Sequence, residues 1–465
     1  MKKFFGPSIL VLAALLVAAP VYGQDFFRDL GTSRSSGGIG PVVPSEYSYQ
    51  DGSPSGLREL APGQDLSLPD EMAEDDRYNF ALGNFRFGLA AGIGVEWNDN
   101  INLSDDNRLD DIIIRPILNL EATWRMSDLN TLRFNVGVSY AKYMEHSEYD
   151  TEGVLISPTS DIALTFFVST VKFTLRDRFS YQEDTYDVPQ LSGEAVYRRY
   201  ENQIGIEAEW AVNQAIEIIA GYDHYNLWTK DDDFGLQDRA IDTVFLKPGV
   251  QINPAIKLGL SASASYINFD DEDRADGTGL LVGPYIEWQI TEYTNLYLEG
   301  GYQSLKFDGA SNFNEDAIDQ LGLDDVDAES VRQILQDNED SDNFYVKFEI
   351  NNRPSEFFRH RLSYSHTAEV GFASDFYEID HVEYNADWKV FQNAELGPTL
   401  FYEHYTTSGA LSEEADRFGA ALGIRYHFNN SLTLGLDYRY IWKDSNLQGN
   451  DYYQNLAFLS LYYKF

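Results

Sequence analysis

Cysteine is absent from the 465-residue chain. Its absence excludes a disulfide framework, a lipidated N-terminal cysteine and thiolate chemistry. Positive charge is scarce: 34 Lys and Arg stand against 75 Asp and Glu, a formal net charge of −41. That balance disfavours nucleic acid as a partner and excludes a polybasic membrane anchor. Beyond residue 23 no segment approaches the roughly 18 consecutive apolar residues of a helical membrane span. Short catalytic motifs are missing too, with no His-Glu-x-x-His and no Gly-x-Ser-x-Gly. Ser363, Ser365 and His366 are the nearest local nucleophile and base candidates. Neighbours on a strand point to opposite faces, so Ser365 and His366 are not expected to work together. Neither enzymatic activity nor a cofactor is expected.

Residues 1–23 read as a secretory signal. Lys2 and Lys3 form its charged start, Ile9 to Ala19 its apolar core, and Val21-Tyr22-Gly23 a small-residue cleavage site. Loss of the two lysines makes the mature chain still more acidic. Residues 24–80 are rich in Ser, Gly and Pro without a sustained apolar period, and read as a flexible periplasmic leader.

From residue 81 to 465 the pattern changes to strict alternation. Phe85, Phe87, Leu89, Ala91, Ile93, Val95 and Trp97 share one face of a segment whose other face carries Arg86, Gly88, Ala90, Gly92, Gly94 and Glu96. The same period-2 rows recur at 255–269, 415–428 and 431–443. One apolar and one wet face per strand is the signature of a strand with lipid on one side and water on the other. Aromatic residues are abundant, with 31 Tyr, 29 Phe and 7 Trp, as membrane–water interfaces require. The chain ends on Leu459, Leu461, Tyr463 and Phe465 in one such row. Leu461, Tyr463 and Phe465 fit the C-terminal signal read by the barrel-assembly machinery.

About 18 alternating segments can be counted, or 16 if one hairpin is miscounted. Tight turns at Ser127-Asp128, Ser169-Thr170, Asn253-Pro254, Gln392-Asn393 and Asn429-Asn430 alternate with longer acidic loops. The expected fold is an all-β, closed antiparallel transmembrane barrel with short periplasmic turns, long extracellular loops and both termini in the periplasm. The outer membrane of a Gram-negative bacterium is the expected location. The longest loop, 308–341, is strongly acidic, and Ala328 to Gln336 reads as a short helix capped by Asp327. It would either fold into the lumen or stand above it.

The runs GNFRFGLAAGIGVEWNDNINLSDD (Gly83 to Asp106), SDLNTLRFNVGVSYAKY (Ser127 to Tyr143), RDRFSYQED (Arg176 to Asp184) and GYDHY (Gly221 to Tyr225) resemble β-barrel porins associated with exopolysaccharide operons. The resemblance covers the barrel and not the leader. It implies an outer-membrane barrel and carries no catalytic or ligand-binding residues.

Alternation assigns lumen charges. Arg86, Arg115, Arg133, Lys172, Arg176 and Arg178 are expected to form a basic wall. Glu287, Glu299, Glu349, Glu383, Asp387, Glu395 and Glu403 are expected to form an acidic wall facing it. Opposed charges of this kind orient water and polar solutes in a pore. Tyr297, Tyr345, Phe401, Tyr405 and Tyr462 also fall on wet faces, either as space filling or as stacking surfaces for sugar rings. Asp177 falls on the lipid face, where a charge is costly, so an interrupted register is expected there. The functional expectation is a porin-like channel for passive diffusion of small polar solutes or saccharides, weakly cation-selective. Alternatives are a component of exopolysaccharide secretion or a structural, adhesive surface barrel. Outer-membrane lipid and lipopolysaccharide are expected partners, with loose divalent cations at clusters such as Asp231-Asp232-Asp233 and Asp270 to Asp273; no structured metal site is indicated.

Overall fold

A computed structural model describes residues 80–185, 187–311 and 336–465. The signal, all of the leader but Phe80, and residues 312–335 of the acidic stretch 308–341, which include all of its expected helix but Gln336, lie outside the described residues.

Eighteen long strands follow one another around a single sheet. The first nine are β1 (Phe85–Asn98), β2 (Asp111–Arg125), β3 (Thr131–Ser139), β4 (Asp161–Val168), β5 (Val171–Gln182), β6 (Arg199–Ala211), β7 (Ile216–Thr229), β8 (Arg239–Asn253) and β9 (Ile256–Phe269). The rest are β10 (Gly277–Thr291), β11 (Thr294–Phe307), β12 (Ser341–Ser355), β13 (Phe358–Val370), β14 (Phe376–Phe391), β15 (Ala394–Thr407), β16 (Glu414–His427), β17 (Leu432–Ser445) and β18 (Tyr452–Lys464). Short pieces at Lys142–Tyr143 and Leu155–Ile156 prolong β3 and β4. Each strand pairs antiparallel with the next, and β18 pairs with β1 from Ala90↔Lys464 to Asn98↔Leu456. This last ladder closes the barrel. No helix among the described residues is long and apolar enough to cross a membrane.

The tight turns form where side chains replace missing ladder bonds. Asn429 Oδ1 accepts from the backbone N–H groups of Ser431 (2.8 Å) and Leu432 (2.9 Å), and Asn213 Oδ1 does the same for Ala215 and Ile216. Ser169 turns with φ 58°, the left-handed region that a two-residue hairpin requires. All such turns lie at one end of the barrel. The opposite end carries the connections 99–110, 144–154, 183–198, 230–238, 270–276, 308–340, 371–375, 408–413 and 446–451.

The outward faces are apolar: Ile93, Val95, Leu118, Val244, Leu260, Leu400, Leu436, Leu459 and Leu461 are all more than 40% exposed. All seven Trp point outward, each 40–50% exposed. Trp124, Trp210, Trp288 and Trp388 lie near the short-turn end, and Trp97, Trp228 and Trp442 near the long-loop end. The strand run from Ile112, the partner of Trp97, to Trp124 is about 40 Å, or roughly 30 Å along an axis tilted near 40°. These are the two aromatic girdles of a bilayer-spanning barrel. Tyr463 and Phe465 meet edge to face at 5.1 Å on the same outer surface, and Phe465 N–H donates to Leu89 O (3.1 Å).

One expectation is overturned. Asp177 does face outward, yet the β4–β5 and β5–β6 registers run through it without a shift. Asn202 Nδ2 donates to its carboxylate at 2.6 Å, so a neighbouring amide satisfies the charge in place of a bulge.

Inside, glycines make room for rings. A Cβ at Gly419 would lie 1.7 Å from Phe401, at Gly94 2.1 Å from Phe458, and at Gly92 2.3 Å from Tyr462. Each ring covers a glycine on the adjacent strand and fills lumen volume. Gly419→Val should therefore destabilise the barrel by about 1–3 kcal/mol through overpacking, measured by urea unfolding in detergent micelles with Trp fluorescence. Adding Phe401→Ala should recover part of the loss; an unchanged midpoint for the single variant contradicts the packing.

Candidate functional site

Every charged residue assigned to the lumen lies on an inward-facing strand position, and most of them meet a partner of opposite sign on a neighbouring strand. Arg115 Nε is 2.7 Å from Glu96, both buried. Asp161 receives Arg133 at 3.1 Å and Arg176 at 3.4 Å, and Lys172 meets Glu209 at 2.5 Å. Arg86 and Arg178 share the inward phase of their strands. Among the acids, Glu287 is 3.5 Å from Lys257, which also pairs with Glu217 at 2.6 Å. Glu299 accepts from Tyr345 Oη at 2.9 Å and from Tyr297, and Glu349 accepts from Asn351. Glu383 pairs with Arg361 (3.0 Å), Asp387 with Arg359 (2.7 Å), and Glu395 lies 3.8 Å from His427. Glu403 is held by Arg417 (2.8 Å) and His381 Nδ1 (3.0 Å), all three buried.

The two walls are thus a mixture rather than surfaces of one sign. Lys257, Arg359, Arg361 and Arg417 stand on β9, β13 and β16, strands that contributed no residue to either expected wall. Their phase was already visible, since each stands an even number of residues from an inward acid or small polar residue. A buried charge robbed of its partner costs several kcal/mol, which accounts for the interleaving.

The lumen aromatics are engaged as well. Lys247 Nζ lies 4.5 Å from the Tyr285 ring centre and 4.9 Å from that of Tyr297, and Tyr405 Oη donates to Glu413 at 2.9 Å. With Phe401 and Tyr462 over glycines, these rings serve packing and charge binding. Ser365 points inward and His366 outward, on opposite faces of β13 as expected.

The principal feature that alternation missed is the connection 183–198. It leaves β5, crosses the long-loop end and docks on the far wall before returning to β6. Gln190 Oε1 accepts from Phe372 N–H at 2.5 Å, and Pro189 O accepts from Tyr405 Oη at 3.0 Å. Ser192 Oγ donates to Asn450 O (3.1 Å) and is 3.0 Å from Lys443 Nζ. Gly193 N–H donates to Leu103 O at 3.1 Å. These partners belong to β15, β17 and three other loops. Arg199 clamps the base of the crossing through Asp187 (2.7 Å) and Asp184 O (2.7 Å). Burial raises the Asp184 carboxyl above its usual range. Burial would also raise Glu413, but Lys443 at 3.0 Å and bonds from Ser445 and Asn450 hold it below the usual carboxylate range.

Beside this crossing, four loops meet at a buried knot. Ser311 and Asp337 exchange backbone hydrogen bonds (2.7 and 3.0 Å) at the two ends of the 308–340 connection. Asp337 Oδ2 accepts from Asp375 N–H (2.8 Å) and Ser408 Oγ (2.5 Å); Ser311 Oγ donates to Asp375 Oδ1 (2.5 Å) and accepts from Ala275 N–H (2.9 Å). Arg274 packs over the Phe269 ring at 3.9 Å, with Nη2 near Ser374 O (3.4 Å). Burial, aided by Arg239, pulls its guanidinium down to about 9. Burial, with Asp337 nearby and the Ser311 bond opposing, pushes Asp375 up to about 7.

Residues 72–282 match the protein family described as "Putative MetA-pathway of phenol degradation". No curated protein matches the chain. Among solved structures, the chain is similar to OpdK of Pseudomonas aeruginosa, crystallised with vanillate, at 10% identity and TM-score 0.44, covering 82% of this chain and 99% of that one. A BenF-like porin from Pseudomonas fluorescens Pf-5 matches at 9% identity and TM-score 0.45, covering 83% and 100%. OccAB4 of Acinetobacter baumannii matches at 14% identity and TM-score 0.42, covering 82% and 98%. The geometry of the sheet defines the fold class by itself: an all-β, closed antiparallel barrel of 18 strands with an apolar outer face.

The knot yields a pH dependence. A carboxyl raised on folding favours the folded arrangement while it stays protonated. Asp375 should therefore hold the knot best at and below about pH 4 and progressively less up to about pH 7, with no further change above. Hydrogen exchange of residues 371–375, corrected for intrinsic rate, should show protection falling across that window. Asp375→Asn should flatten the profile; an unchanged slope in that variant contradicts the assignment.

Proposed function

We propose that this barrel is a passive channel for small polar solutes, with its short turns in the periplasm and the connection 183–198 acting as a size filter at the extracellular mouth. The observation that carries the reading is this crossing above a lumen lined by charges of both signs. A barrel of 18 strands is too wide for its own wall side chains to fill unaided, so water enters the bore. A strap anchored on both sides then limits the size of the solutes that pass with the water. Paired acids and bases on neighbouring strands all round the lumen supply hydrogen-bonding positions for polar solutes without trapping them. Passage of a polymer is disfavoured by the same strap and by the acidity of the mouth, so exopolysaccharide secretion is the second reading, and it rests on the resemblance of the barrel motifs alone.

Net charge makes the channel weakly cation-selective. The long loops are acidic, and their field reaches about one Debye length, roughly 8 Å at physiological salt. Pairing along the lumen leaves the loops as the main source of bias. Single-channel recording under a KCl gradient should give a small cation-selective reversal potential that fades as salt rises. Anion selectivity would overturn the charge argument, and absence of current would overturn the channel.

A further inference from the structure

The wall of the barrel begins before β1. Residues Phe80–Leu82 form a three-residue strand that pairs antiparallel with Phe85–Phe87, from Phe80↔Phe87 to Leu82↔Phe85, around a turn at Gly83 with φ 62°. The Phe80 and Phe87 rings stack on the outer face at 4.7 Å. This short strand fills the edge of β1 that β18 leaves open, because the β18 ladder stops at Ala90↔Lys464 and Phe465 N–H donates to Leu89 O. Traced back from Leu82 to Phe80, the chain climbs from the short-turn end toward the middle of the wall. Two places above Phe80 that edge belongs to Phe465, so a chain on this path meets a blocked ladder and has to leave the sheet. An exit to the outer face would carry Glu74, Asp75 and Asp76 along lipid, where charge is costly. An exit to the inner face carries them into the lumen.

The lumen wall beside that point carries the sign of charge that is scarce in the chain as a whole. On β17, β18, β1, β2 and β3, the inward positions near the short-turn end hold Lys464, Arg86, Arg125 and Arg133. Among the described residues there, Glu121 is the one acid at an inward position and Asp128 the one acid in a turn. Arg133, 3.1 Å from Asp161 on β4, keeps 53% of its side chain exposed. The leader is the complement of this arc. From Asp65 to Asp76 it carries six acids, Asp65, Asp70, Glu71, Glu74, Asp75 and Asp76, and no base. From Asn79 back to Asp70 an extended chain reaches roughly 30 Å, which spans the ends of five strands spaced about 4.8 Å apart.

We propose that the acidic segment 65–76 of the leader docks inside the short-turn mouth of the barrel, against Arg86, Arg125, Arg133 and Lys464. Single exposed ion pairs are weak. The tether at Phe80, however, holds the segment at an effective concentration on the order of millimolar, and several pairs then act together. A free polyanion has the charge but neither the tether nor the entry point that Phe465 sets. Docking places a second constriction at the end opposite the strap 183–198, and that consequence alone rests on the channel reading.

Because the chain has no cysteine, two spin labels can be placed on the full protein in lipid nanodiscs, at Glu74→Cys and, on the lumen side of β3, at Thr131→Cys. Pulsed electron–electron distance measurement at low salt should give one narrow distribution. It should broaden on raising KCl, which screens the pairing. The same broadening should follow when Asp70→Asn, Glu71→Gln, Asp75→Asn and Asp76→Asn neutralise the segment, or when Arg86→Gln and Arg125→Gln weaken the wall that receives it. The leader variant leaves every barrel residue in place, so its result stands whether or not the arginine variant folds. A broad distribution with native leader charge, or a narrow one indifferent to that charge, overturns the proposal. So does a Glu74 label relaxed by dissolved oxygen and not by a water-soluble nickel chelate, which marks an exit on the lipid side. The neutral leader should also raise single-channel current. Equal current with both leaders overturns the constriction, whereas no current from either counts against the channel and leaves the distances to decide docking.

Discussion

Every backbone amide and carbonyl within the hydrocarbon of a bilayer must find a partner on the protein, and the rest of this structure depends on that requirement. The ladder between β1 and β18 meets it by removing the last two free edges. Closure in turn fixes a period-2 sequence, because each strand has one lipid face and one lumen face. It places both ends of the barrel segment at the short-turn end. It also forces large insertions into the nine connections at the other end, where no ladder has to be kept.

Within the closed wall, charge is tolerated where it is shared. The Glu403–Arg417–His381 group and the Glu96–Arg115 pair are buried, and each member is the main satisfaction of the other. Surface ion pairs are worth little, but the loss of one member from a buried pair is severe. Such pairs fix the inner wall in shape, and the strap 183–198 takes its anchor from them: Lys443 holds both Glu413 and Ser192. On the lipid side the same rule applies to single acids, as Asp177 with Asn202 and Asp242 with His224 show.

Much of the fold was legible in the residues. Alternation, with turn chemistry at Ser169-Thr170 and Asn429-Asn430, is local, and all 18 strands lie where it puts them. The lumen-facing positions of Arg115, Glu299 and Glu403 come from the same period. What alternation does not carry is contact across the bore. Gln190 and Phe372 are 182 residues apart, and the strap has no period of its own. Cross-strand partners also escape notice, since pairing Glu403 with Arg417 needs the register as well as the phase. The Tyr-x-His repeats at 222–224, 364–366 and 402–404 stand in plain view, but the partner of each histidine is an aspartate from the next strand. Asp177 is the instructive error: a neighbour one strand away supplied what a broken register was expected to provide.

The central claim is that the connection 183–198 spans the mouth of a conducting barrel, and the absence of native cysteine makes it directly testable. Ser192→Cys combined with Asn450→Cys places two thiols where the strap meets the far wall, positions joined by a 3.1 Å hydrogen bond. Oxidation should form an intramolecular disulfide in intact membranes. Single-channel current should change on oxidation and return on reduction, because the strap sets the size of the opening. Failure of two accessible thiols to cross-link, or a current indifferent to the bond, would contradict the account.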